Sequence, residues 1–272
     1  MTLRRLGILL LLAGGALAGG IAAWTLLSDG GQRQYLLDFD DVVDPGRGTS
    51  TMGHLLLFNP GPRPVAATVT VYFEDREPAE LRLEVPAFAT QESNFTGWPV
   101  APGQRFSLAV ASRERLVAQA TVGWTNTLGD YSPTAATRSA RGRRETAKSF
   151  MAIPRLTTDC AIADGLVLDA PGGLWIKESE WAVILNPGDR PAEVTLRQHY
   201  DGAIRERAYV VPPRRRLTVF MDPLVEPNRH YGLRLTSSRP VAAQWLRQVA
   251  WTDSDEVMAF WSVPCTPLAE PR

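Results

Sequence analysis

From residue 34 onward, apolar and polar side chains alternate in short runs. Thr68 to Phe73 puts Val69, Val71 and Phe73 on one face and Thr68, Thr70 and Tyr72 on the other. Leu81, Leu83 and Val85 alternate with Arg82 and Glu84, and Phe106, Leu108 and Val110 with Ser107 and Ala109. A period of two belongs to a strand with one face buried, and the Pro and Gly between runs mark turns. Gln34–Phe39, Leu55–Phe58 and Val117–Trp124 complete a first series. A second follows at Trp181–Leu185, Val194–Tyr200, Arg207–Val211, Leu217–Phe220, Tyr231–Thr236 and Val241–Trp251. No stretch beyond the N-terminal region carries a helical stripe. The predicted fold class is all-β, with short antiparallel strands stacked as sandwiches.

The two series are one pattern written twice. Leu57-Phe58-Asn59-Pro60-Gly61-Pro62-Arg63-Pro64 returns as Ile184-Leu185-Asn186-Pro187-Gly188-Asp189-Arg190-Pro191. Val85-Pro86 matches Val211-Pro212, Pro102 matches Pro227, Ser112 matches Ser237, and Trp124-Thr125 matches Trp251-Thr252. A repeat of this length is a duplicated domain. Counted from Gln119 and Gln244, the Trp-Thr pair comes two residues later in the second copy, which predicts a bulge or a longer last strand there. The expected organisation is a signal anchor over residues 1–30, a sandwich over 31–136, a basic linker over 137–147 and a second sandwich over 148–272. Arg138 to Lys148 has the composition of an exposed connection; contact with anionic headgroups or acidic polymer is the functional alternative.

The N-terminus changes the picture. Arg4 and Arg5 precede an uncharged apolar run over residues 6–27, long enough to cross a bilayer as a helix. Upstream arginines predict a cytoplasmic N-terminus, with the remaining chain outside the cytoplasm on a single-pass membrane protein. The alternative is a cleaved signal ending near Ala16-Leu17-Ala18, which would give a secreted protein. Both readings export the sandwiches. Formal net charge is zero, which argues against a nucleic-acid partner.

Candidate chemistry is sparse. Cys160 and Cys265 lie near the two ends of the second copy, where first and last strands come close. They are a disulfide in an oxidising compartment or two buried thiols. There is no C-x-x-C, and His54, His199 and His230 are scattered, so neither a metal nor another cofactor is expected. No nucleophile motif such as G-x-S-x-G appears, so the chain reads as non-enzymatic. Asp38, Asp40, Asp41 and Asp44 lack a full calcium-loop pattern and read as a turn. Asn-Pro-Gly is a turn in which the Asn side chain can bond back to the backbone. Gln119 and Gln244 lie mid-strand, either bonding to a neighbouring loop or lining a pocket. Trp124 and Trp251, with Trp175, Trp181, Trp245 and Trp261, fill cores or present flat faces to a sugar or peptide.

Two stretches resemble a known family. Thr70-Val71-Tyr72-Phe73-Glu74-Asp75-Arg76-Glu77-Pro78 with Val85-Pro86-Ala87 is similar to the sensory rhodopsin transducer family of small β-sandwich proteins. Val211-Pro212-Pro213-Arg214-Arg215-Arg216, Tyr231, Ser237, Pro240-Val241 and Gln244 to Arg247 resemble another part of the same pattern. The resemblance implies a non-enzymatic domain that relays signals or binds a ligand or a partner protein. Family members are typically single soluble cytoplasmic domains that self-associate; this chain has a leader and two units. Val122 stands where the second copy has Arg247, so a site using that arginine exists once.

The expected function is therefore a membrane-anchored extracytoplasmic binding or adaptor protein, with Gln119, Trp124, Gln244, Arg247 and Trp251 as candidate ligand-binding residues. A carbohydrate-binding surface protein is the alternative, and it needs several Trp rings exposed in a row. Expected partners are the membrane through residues 6–27, and a protein, small ligand or glycan. Tethering places the two copies at high effective concentration, which predicts a pseudo-dimer or a homo-oligomer.

Overall fold

In the computed structural model, the described residues are 31–41, 43–44, 49–95, 97–100, 104–125, 145–168, 176–251 and 257–268. The 6–27 run, most of the 137–147 segment and Trp175 lie outside them. No helix among the described residues is long and apolar enough to cross a membrane.

The chain is all-β. The first half holds β1 (Gln32–Asp41), β2 (Val43–Asp44), β3 (Thr49–Phe58), β4 (Val65–Phe73), β5 (Ala79–Val85), β6 (Thr90–Asn94), β7 (Gln104–Ser112) and β8 (Val117–Thr125). Then come β9 (Glu145–Met151), β10 (Thr157–Gly165), β11 (Ile176–Asn186), β12 (Ala192–Tyr200), β13 (Ala203–Val211) and β14 (Arg215–Phe220). A short 3-10 turn at Asp222–Leu224 leads to β15 (Tyr231–Trp251), β16 (Val257–Pro264) and β17 (Thr266–Pro267).

In the first half the sheet β1-β7-β4-β5 faces a sheet that runs β6-β3-β8-β9, with β2 also on β3. In the second half, β10-β15-β12-β13 faces β14-β11-β15-β16. Apart from β2 on β3 and β17 on the edge of β10, the two orders are the same. All strand pairings among the described residues are antiparallel, and each half encloses its own apolar core between its sheets. Leu36, Phe39, Leu55, Leu57, Val69 and Leu108 belong to one, and Ile184, Val194, Leu196, Leu233, Val241 and Trp245 to the other. This is a β-sandwich architecture. β9 begins inside the 137–147 segment and hydrogen-bonds to β8 of the first half, so residues 148–151, expected in the second unit, lie in a sheet of the first.

The repeat is kept atom by atom at Asn-Pro-Gly. Asn59 is fully buried; its Nδ2 donates to the carbonyls of Arg63 (2.7 Å), Val85 (3.2 Å) and Pro86 (3.1 Å), while its Oδ1 accepts from the Gly61 N–H (2.8 Å). Asn186 bonds in the same way to Arg190, Val211, Pro212 and Gly188, at 2.8, 3.0, 3.1 and 3.0 Å. One side chain thus satisfies several backbone groups that burial would otherwise orphan.

Two features differ from the sequence pattern. Asp38, Asp40 and Asp41 lie within β1 and Asp44 within β2, not in a turn. The β1–β7 register shifts between Leu36 and Phe39, and the chain stays extended on both sides of the shift. The expected strands at Tyr231–Thr236 and Val241–Trp251 are a single 21-residue strand. Its first part pairs with β10 and β12 and its second with β11 and β16, so it crosses from one sheet to the other. The first half makes the same crossing through the bends at Arg113 and Glu114 that separate β7 from β8.

A third apolar cluster joins the halves. Tyr35, Leu37, Tyr72 and Ala109, on the outer face of the β1-β7-β4-β5 sheet, meet Val183, Leu185, Ala242 and Leu246 on the outer face of the β11-β15 sheet. These are different faces of the two copies. Beside the cluster, Arg216 of β14 reaches into the first half, its side chain fully buried. Its Nη1 donates to the carbonyls of Phe106 (2.6 Å) and Phe39 (3.3 Å), and its Nη2 donates to Thr218 Oγ1 (2.8 Å). Thr218 donates to Glu74, and Arg215 pairs with Glu77.

Candidate ligand site at the open end of the second half

At one end of their cores, the two copies are built from opposite materials. In the first half, Phe39, Phe95, Phe106 and Trp98 interlock, with ring centroids 4.9 to 5.0 Å apart. Gly53 lets Phe95 lie against the backbone, since a Cβ there would fall 2.1 Å from the Phe95 ring. Aligned on Asn59 and Asn186, Gly53 corresponds to Glu180. Aligned on Gln119 and Gln244, Phe106 corresponds to Tyr231 and Val122 to Arg247. The second copy therefore carries ionisable groups where the first carries a glycine, a phenyl ring and a valine.

These groups form one connected cluster. Glu180 is fully buried. It accepts hydrogen bonds from the Tyr231 hydroxyl, from Arg247 Nε at 2.8 Å and from the Leu166 N–H at 2.9 Å. Arg247 also donates to the Asp164 carbonyl at 2.8 Å, and its Nε lies 3.7 Å from Glu178. Asp164 contacts His230 Nδ1 at 3.2 Å. The Tyr231 ring lies over Gly165, where any Cβ would fall 2.4 Å from it. Burial, with the Glu180 charge, pushes the Tyr231 hydroxyl far above the ordinary tyrosine range, so it stays a donor. Burial likewise raises the Glu178 carboxyl, and the charges of Glu180 and Asp164 add to that, against Arg247. Burial opposes the Arg247 charge, but Glu180, Asp164 and Glu178 outweigh it and hold the guanidinium protonated. Asp222 accepts the Glu180 N–H at 2.9 Å, and its carboxyl is raised by burial.

The cluster opens on a pocket of about 710 Å³ between β10 and β16. Ile162, Asp164, Trp245, Arg247, Trp261 and Val263 are among its lining residues. Trp245 is 3% exposed, and its indole N–H has no partner among the described residues. Trp261 is 50% exposed. Below the pocket, Cys160 and Cys265 are joined as a disulfide, with Cα atoms 5.6 Å apart. The arrangement offers an apolar wall, a half-exposed aromatic face, an unpaired buried donor and a charged end, the features of a small-ligand site.

Arg247 is the sequence-derived candidate that lines this pocket. Gln244 lies on the opposite face of β15, between Ala242 and Leu246, with its amide donating to Ser262. Gln119 sits half-buried on β8 in the other half, opposite Leu56 and Met151. For Trp124 and Trp251 the described structure gives backbone pairing only, with Thr146 and Ile176 as neighbours. Among the tryptophans whose side-chain burial is described, Trp261 is exposed, Trp98 and Trp181 are half-buried and Trp245 is buried, so these four present no row of exposed indole rings. Glu180, Glu178, Tyr231 and Asp164 are the members that sequence reasoning missed. For Glu180 and Tyr231 the signal was the change from Gly53 and Phe106 between aligned copies; Glu178, aligned with Thr51, and Asp164 carried no such signal.

No family model matches the chain, and no curated protein matches it. Among solved structures, it is similar to Thermotoga maritima 1070, at 13% identity and TM-score 0.34, over 46% of this chain and 94% of that one. The Anabaena sensory rhodopsin transducer is 26% identical with TM-score 0.25, over 32% of this chain and 92% of that one. Bacteroides uniformis beta-glucuronidase 2 is 9% identical with TM-score 0.18, over 79% of this chain and 26% of that one. These likenesses are weak and assign no function.

Proposed function

We propose that this chain is a non-enzymatic binding or adaptor protein, anchored in the membrane by residues 6–27. In this reading it carries two tandem β-sandwich domains outside the cytoplasm and takes a small ligand, or a side chain of a protein partner, in the pocket of the second domain. The observation that carries the reading is the asymmetry between the copies. A buried Glu180–Tyr231–Arg247 cluster stands beside an open pocket in one, and an aromatic plug fills the same place in the other. Buried charges cost desolvation and are weak devices for stability, so their presence at a cavity favours a binding role. The disulfide and the Arg4-Arg5 leader favour an exported location.

Two experiments test this. Thermal-shift screening of small polar and aromatic compounds against the full chain should give hits that Trp261→Ala and Arg247→Met abolish. Hits that survive both variants would place binding elsewhere. Protease treatment of intact cells should digest the sandwiches, and protection of everything beyond residue 30 would overturn the topology.

A further inference from the structure

A second cavity, of about 840 Å³, lies on the outer face of the β1-β7-β4-β5 sheet, and Gly31, the first described residue, is part of its wall. The sheet register explains its shape. Arg33 stands opposite Ala111, Ala111 opposite Thr68, and Thr68 opposite Arg82. Small side chains form the floor, and an arginine stands at each end of the row, about three strand spacings or roughly 14 Å apart. Arg113 and Glu114 add to the rim. All three arginines are exposed, and against one glutamate they leave two net positive charges. The second copy lacks these arginines. Its corresponding row is Asp159, Thr236, Thr195 and Ala208, with Asp159 held by Arg234 at 2.6 Å. The fold does not require the arginines, since it forms without them in the other copy.

The position relative to the leader supplies the occupant. Gly31 is four residues beyond Leu27, the end of the apolar run, and four residues reach at most about 14 Å. If the run crosses the bilayer, the trough stands at the membrane surface. We propose that it binds the phosphate of an anionic phospholipid headgroup in that membrane. This rests on the anchoring part of the proposed function. Arginine pairs with phosphate through charge and forked hydrogen bonds, and the small Ala111 and Thr68 leave room for the group between the two walls.

The test uses the full chain in a neutral detergent, titrated with short-chain dihexanoyl phosphatidylglycerol, with dihexanoyl phosphatidylcholine and inorganic phosphate as comparison arms. Hydrogen exchange reports on residues 64–68 and 111–114. Phosphatidylglycerol should slow exchange there and bind more tightly than either comparison. Each arginine should contribute roughly fivefold, so R33Q/R82Q/R113Q should lose about a hundredfold in affinity. The corresponding triple lysine variant should retain most of the binding, and unchanged exchange elsewhere shows that the variants fold. Equal affinity for inorganic phosphate would overturn the lipid assignment, and unchanged binding by the glutamine variant would overturn the trough itself. Alkaline carbonate extraction of membranes tests the anchor separately. A chain that is released overturns the anchoring, and with it the lipid as occupant. A retained chain that fails the titration overturns the trough alone.

Discussion

Arg216 offers the sharpest test of how the halves are joined. Among the described residues it is the largest fully buried side chain, it comes from β14 of the second half, and its Nη1 serves the Phe39 and Phe106 carbonyls of the first. Its carboxylate neighbour, Glu74, is 3.7 Å from Nε and 40% exposed, so that contact is screened and contributes below about 1 kcal/mol. The stabilisation resides instead in the hydrogen bonds to buried carbonyls. A hydrogen bond to a charged donor contributes about 1.5–3 kcal/mol, and a carbonyl left buried and unpaired costs about 1–3 kcal/mol. Arg216→Ala also opens a cavity. Release of the arginine's own desolvation cost offsets part of the loss, which leaves an expected net destabilisation of about 3–5 kcal/mol. Urea unfolding of the purified chain, followed by circular dichroism and tryptophan fluorescence, measures it. The two probes should separate in the variant, because the halves lose their polar tie. Glu74→Gln should shift stability by less than about 1 kcal/mol. A loss below about 0.5 kcal/mol for Arg216→Ala, with coincident probes, would refute the claim that this arginine is a desolvated clamp between the halves.

Three other predictions follow from equally local features. Replacing Asn59 or Asn186 by Ala should cost about 2–4 kcal/mol each, with the two values within about 1 kcal/mol of one another, because the two side chains make matching bonds; unequal losses in urea unfolding would break the equivalence of the copies. Removing the Cys160–Cys265 bridge, which closes a separation of 105 residues, should cost about 2–5 kcal/mol, read as a lower unfolding midpoint in reductant that the double Cys→Ala variant reproduces without reductant. The Glu178 carboxyl is raised in the folded state above its ordinary 4.5, so the folded form binds more protons than the unfolded one, and its contribution to stability falls as pH rises from 4.5 through that raised value. Glu178→Gln should therefore flatten the decline in melting temperature above pH 4.5, and an unchanged slope would show that the group titrates normally.

Much of the fold was legible because a period of two survives wherever one face of a strand is buried. Val69, Val71 and Phe73, or Val194 and Leu196, show it plainly. Strands without that contrast escaped. β6 reads Thr-Gln-Glu-Ser-Asn, with no apolar face at all, and is held by its ladder to β3. β10 is interrupted by register shifts that scramble the alternation. The crossing of β15 between sheets was hidden because Arg239-Pro240 looks like a break, yet the chain stays extended through it. The candidate site was legible only in part. Arg247 stood out because the first copy has Val122 in its place, whereas Glu180 and Glu178 resemble ordinary solvent-facing positions until β11 is seen to close the end of a core. Tyr231 marks the resemblance to the transducer family, but its role depends on Gly165 leaving space for the ring.

The buried Glu180–Tyr231–Arg247 cluster of the second copy serves binding rather than folding if the protein keeps its stability without it. The most direct measurement compares the urea unfolding of the chain with that of E180M/Y231F/R247M, which replaces the polar contacts by apolar side chains of similar volume. A cluster kept for binding predicts stability within about 1 kcal/mol of the parent, or higher, together with loss of the compounds that bind the pocket. A loss of more than about 3 kcal/mol, with pocket binding intact in whatever remains folded, would contradict it and make the cluster part of the scaffold.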